Sequence, residues 1–141
     1  MLRKKLRFLK ACLLALSLTV VAVNAAESDS NVKWAFGRIK SLEGDWKKEG
    51  SDREKFYINF SQMAGGAVLI ENWIYDGQSR PLTIYHMNNG TLLAAHYCPQ
   101  GKQPRLWLEG HVSDEQLAFT FMDVTSLKNS LVNHQHDLAF K

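Results

Sequence analysis

The chain has 141 residues, 45% of them hydrophobic and 22% charged, with 17 basic and 14 acidic side chains. That length and apolar content suit one domain with a single modest core. The formal charge of +3 misleads, because five of the basic residues fall within the first ten positions.

Residues 1–25 read as a secretory signal peptide. "MLRKKLRFLK" is basic and free of acids, "ACLLALSLTVVAV" is an apolar run of 13 residues, and Val23 and Ala25 are the small residues that precede a cut. The run is shorter than the roughly 20 residues of a membrane-spanning helix. Export with cleavage after Ala25 is therefore expected, to the periplasm or outside the cell, with no membrane insertion afterwards. Cleavage leaves 116 residues carrying 12 basic and 14 acidic groups, a net −2. No basic patch remains to bind nucleic acid. The remainder is one domain's length, and its one cysteine, Cys98, rules out an internal disulfide.

Residues 26–31 are polar and read as a flexible lead-in to a single domain over 32–141. Val32, Phe36, Ile39 and Leu42 recur at a helical period, so a short helix is expected to lay its apolar side across an opening. From Gly44 the pattern changes to short strands. "GDWKKE" is followed by "EKFYINFS", in which Phe56, Ile58 and Phe60 share a face. Ala64-Gly65-Gly66 breaks the chain before "AVLIENWIY", and Asp76-Gly77 marks the next turn. "LTIYHM" leads into Asn89-Gly90, a strong two-residue hairpin signal, and "TLLAAHYC" returns. "RLWLEG", "QLAFTFMD" and "HQHDLAFK" complete about eight strands. Short turns imply antiparallel neighbours, and such a meander must curl or pack to manage its edges. The expected fold is all-β: an antiparallel up-and-down barrel with a short N-terminal helix. Leu138 and Phe140 alternate as in a strand just before Lys141. That strand either closes the barrel against the first one or leaves it incomplete.

Two stretches carry a resemblance. Gly44-Asp45-Trp46 is similar to the Gly-x-Trp opening of the calycins. "LTIYHMNNGTLLAAHYCPQGKQPR" resembles a group of uncharacterised, often exported bacterial lipocalin-like proteins. In these a tyrosine-containing strand and a tight turn lead to His-Tyr-Cys and then Gly-Asn-Gln-Pro-Arg; here Lys102 replaces the asparagine. The resemblance implies a lipocalin-like barrel with a cavity for a small, largely apolar molecule, and it supplies no reaction. It also implies one or more strands after a segment such as "NHQHDLAF", which suggests a shortened chain. By the same analogy Arg105 is expected to stack on Trp46 at the closed end.

The residues leave several chemistries open. Tyr85, His96, Tyr97, Cys98 and Arg105 are the candidate ligand-binding residues, while Gly44, Trp46 and Pro104 read as structural. On an extended strand His96 and Cys98 share a face, the first condition for a thiolate nucleophile. No oxyanion site or orienting group is visible in the spacing, and no catalytic residue is assigned. His134 and His136 form a second alternating pair, but no metal-binding motif is present, so any metal site stays undetermined. No cofactor is predicted; haem would need one axial histidine, for which His86, His96 and His134 qualify. The reading is an exported, non-catalytic barrel that binds a small hydrophobic or amphipathic molecule. The alternatives are a haem- or metal-binding barrel and a thiol-dependent enzyme using Cys98 and His96. Oligomeric state is not legible.

Overall fold

The computed structural model describes residues 29–50, 55–110, 113, 115–125 and 134–141. The expected signal peptide lies outside them. A helix, α1, covers residues 29–40, so the last three residues of the expected lead-in are helical. Asp29 starts it favourably, placing a carboxylate at the positive end of the helix dipole and 2.5 Å from Lys33 one turn on. Val32, Ala35, Phe36 and Ile39 form its buried face. The helix ends before Leu42, the last residue of the expected period, because its final turn tightens: Leu42 and Glu43 donate three residues back, to Ile39 and Lys40. Gly44 then adopts φ +127°, which favours glycine, and turns the chain into the sheet.

Eight strands follow: β1 (Gly44–Trp46), β2 (Phe56–Met63), β3 (Val68–Tyr75), β4 (Gln78–Asn88), β5 (Thr91–Tyr97), β6 (Gln103–Leu108), β7 (Leu117–Thr125) and β8 (Asp137–Phe140). They form one sheet in sequence order, each antiparallel to the next. The two tightest turns have the expected chemistry. Asp76-Gly77 and Asn89-Gly90 both have positive φ at both residues, as a two-residue turn requires if its twist is to match the flanking strands. Ala64–Gly66 forms a short 3-10 turn between β2 and β3.

The sheet curls into a half-barrel. Phe140 on β8 reaches across the concave side, with its ring centroid 6.5 Å from Phe60 on β2 and 5.8 Å from Tyr85 on β4. Around it Leu69, Leu92, Leu106, Leu117 and Phe119 are almost wholly buried, each apolar side chain contributing about 1.5–3 kcal/mol. β1 and β8 are the edges of the sheet, and no ladder joins them among the described residues. Both are short, which limits the unpaired backbone presented at each edge. A cleft of about 180 Å³ lies between α1 and the β7–β8 edge, lined by Ile39, Leu42, Leu117 and Phe140 among others.

The buried face of α1 belongs to the same core. Lys40 Nζ donates to Gly66 O at 3.4 Å and Arg38 to Ser113 O at 3.3 Å. Those acceptors lie in the β2–β3 and β6–β7 connections, so α1 covers that end of the curl. The concave face toward the other end keeps Trp46, Phe56, Ile58 and Trp73 partly or largely exposed.

Candidate functional site

Strand register places a polar group on the concave face. Phe60, Glu71, Thr83 and His96 lie side by side on β2, β3, β4 and β5, and Leu69, Tyr85, Ala94 and Leu106 form the adjacent row. Glu71 is the centre of the group and only 5% exposed. Tyr85 Oη donates to its Oε2 at 2.5 Å, and Trp73 Nε1 donates to its Oε1 at 2.7 Å. Thr83 Oγ1 lies 3.0 Å from His96 Nδ1, the donor depending on the imidazole tautomer. Thr83 is buried and His96 half-buried, so the group runs from the interior outward.

Local sequence explains how Trp73 comes to cover this site. The β3–β4 register shifts between Asn72 and Ile74, because three steps on β4, from Ser79 to Leu82, oppose two on β3. Pro81 lies in that stretch. Proline has no N–H to give to the ladder, so a bulge is a favoured place for it. Trp73 faces the irregularity, packs edge-on against Phe56 with centroids 5.7 Å apart, and keeps 38% of its surface exposed.

Electrostatics separates the two titratable partners of Glu71. Burial, reinforced by the Glu71 charge and the hydrogen bond to it, pushes the Tyr85 phenol well above its ordinary value of 10.0; Thr83 opposes this weakly. Tyr85 is therefore a fixed donor. Burial lowers His96 below its ordinary 6.5, with the Glu71 charge pulling the other way. The imidazole is thus neutral at neutral pH. Because the folded state binds the proton more weakly than the unfolded chain, protonation favours unfolding. The His96 contribution is complete above its unfolded value of 6.5 and declines as pH falls through the interval below it. Urea unfolding between about pH 5 and 8 is expected to show this loss in the wild type and a smaller one in His96→Gln. Equal slopes for both proteins would show that His96 does not carry it.

The structure brings two of the sequence candidates, Tyr85 and His96, to one face, with Thr83 bonded to His96 and two residues from Tyr85 on β4. The other three lie elsewhere. Tyr97 is on the convex face and 44% exposed. Arg105 is also on the convex face, where Nε donates to Asp123 Oδ1 at 2.6 Å and a second guanidinium nitrogen meets Oδ2. That partner lowers the Asp123 carboxyl. The Arg105–Trp46 stack expected by analogy does not form, since Trp46 faces the concave side and its Nε1 donates to Leu42 O at 2.6 Å. Cys98, a half-buried free thiol, begins the β5–β6 turn, and its N–H donates to Lys102 O at 3.0 Å. Pro104 is buried as the second residue of β6. His134 and His136 stack 4.2 Å apart against Phe121, and no group of three His, Cys, Asp or Glu suited to a metal occurs among the described residues.

Sequence reading missed Glu71, Thr83 and Trp73. A signal was present for one of them: in "VLIENWIY", Glu71 alternates with Leu69 and Trp73, which puts an acid on an apolar face. The chain matches no family model, no curated protein and no solved structure.

Proposed function

We propose that the half-barrel is a non-catalytic binder of a small amphipathic molecule. The apolar part of the ligand lies along Trp46, Phe56, Ile58 and Trp73 at the uncovered end, and its polar end meets Glu71, Tyr85 and His96. One observation carries this reading: a buried carboxylate with two donors, and the Thr83–His96 pair beside it, are built into the concave face next to the end that α1 leaves uncovered. Burying a carboxylate costs several kcal/mol of desolvation, of which its hydrogen bonds return only part. Replacing the Glu71–Tyr85 pair by two apolar side chains would cost the core little, so a binding role accounts for the acid.

The resemblance to exported lipocalin-like proteins and the signal-like residues 1–25 support the same reading and extend it to a periplasmic or secreted carrier. The binding claim is tested by titrating the purified protein with a fluorescent lipid probe while native mass spectrometry reads stoichiometry. One saturable site is expected, displaced by added amphiphiles and weakened by Trp73→Ala. A folded protein that neither saturates nor retains any small molecule would refute the proposal.

A further inference from the structure

We infer that the concave site selects ligands with a cationic head, a protonated amine on an apolar tail, in preference to carboxylates or neutral alcohols. This rests on the binding role proposed above and assigns it a chemical class. Both groups that hold Glu71, the Tyr85 phenol and the Trp73 indole, are neutral donors. The ion pairs among the described residues join Lys33 to Asp29 and Arg105 to Asp123, and none reaches Glu71. His96 sits two strands away on β5, with its Nδ1 engaged by Thr83. Among the described residues the carboxylate is thus held by neutral donors alone.

A carboxylate has about four acceptor positions, and two are used here, so one on each oxygen remains for an incoming N–H. The surroundings suit a cation as well. The Trp73 indole beside the carboxylate is partly exposed, and aromatic faces attract ammonium groups, more strongly where water is excluded. An anionic head would instead bring a second negative charge close to Glu71 in a weakly screening environment, which is strongly unfavourable. Trp73 controls access: its indole covers Oε1 yet is 38% exposed, so it can turn outward and hand its acceptor to the ligand. A charge-assisted hydrogen bond to an ammonium in place of a neutral one raises affinity by about 10- to 100-fold.

The test uses the full-length protein and three amphiphiles of equal tail length, decylammonium, decanol and decanoate, each below its micelle concentration. Tryptophan fluorescence and calorimetry read binding at neutral pH. Decylammonium is expected to bind at least about tenfold more tightly than decanol, with decanoate weakest. Glu71→Gln, with its fold checked by circular dichroism, is expected to bring decylammonium down to the decanol level. The wild-type head-group series decides the matter even where that variant fails to fold. Equal affinities, or a preference for decanoate, would overturn the cationic assignment and leave the binding role standing. Absence of binding by all three would remove the binding role and this inference with it.

Discussion

Replacing Phe119 by alanine is expected to lower the unfolding free energy by about 3–5 kcal/mol, the range for deleting a buried phenylalanine. Phe119 is 1% exposed and stands edge-on to both Tyr85 and Phe140, at centroid distances of 5.8 and 6.3 Å. Its removal therefore forfeits transfer free energy and two aromatic contacts at once, and it leaves a void where β4, β7 and β8 meet. The rings of Tyr85 and Phe140 have a limited ability to collapse into that void, since each is held by its own strand. Phe121, two residues further along β7, provides the internal comparison. It is half-buried and packs on His134 and His136 instead, so Phe121→Ala is expected to cost much less. Urea midpoints of the two variants check the contrast. Equal losses would mean that the core is not concentrated at the covered end of the half-barrel.

The second large effect lies in the Glu71–Tyr85 pair. Tyr85→Phe is expected to destabilise by about 1–3 kcal/mol, because the carboxylate keeps its burial and loses a donor. Glu71→Met is expected to cost a similar amount. The Trp73 indole can turn to water, but the Tyr85 hydroxyl is fully enclosed and has no such escape. The double variant replaces both partners by apolar groups, a change that is often close to neutral. A double-mutant cycle by urea unfolding should therefore show that the two losses do not add. Additivity to within about 0.3–0.5 kcal/mol would mean that the two groups are uncoupled and the network is not a unit. A near-neutral double variant that has also lost amine binding would show directly that the network serves binding at no gain in stability.

Much of this architecture is legible in the chain because its signals are local. Asp76-Gly77 and Asn89-Gly90 are read from two letters each, since a two-residue hairpin needs left-handed backbone that those residues tolerate. The buried face of α1 follows from the spacing of Val32, Phe36 and Ile39, and the strand faces follow from alternation in β2 and β7. Residues opposed across strands are harder to read. Arg105 was expected inside the curl or over Trp46, but it pairs with Asp123 on the convex face. That pairing depends on a register shift between Arg105 and Leu106, and no letter in β6 announces it. Cys98 resembles a partner for His96 by alternation, yet the strand ends at Tyr97 and the histidine bonds to Thr83, 13 residues earlier.

Residue spacing and turn letters suffice to specify a succession of antiparallel hairpins and a helix with one apolar face. These rest on side-chain period and turn stereochemistry, which act over a few residues. Tertiary structure is what brings Glu71, Trp73, Tyr85, Thr83 and His96 together on the concave face. They come from three strands whose alignment depends on turn length and on the irregularity at Pro81, and their burial depends on the curl that Phe140 helps to hold. The same curl turns Tyr97 and Arg105 outward. Whether a polar residue is a ligand contact or part of the outer surface is set by the face on which it falls once all eight strands are in register.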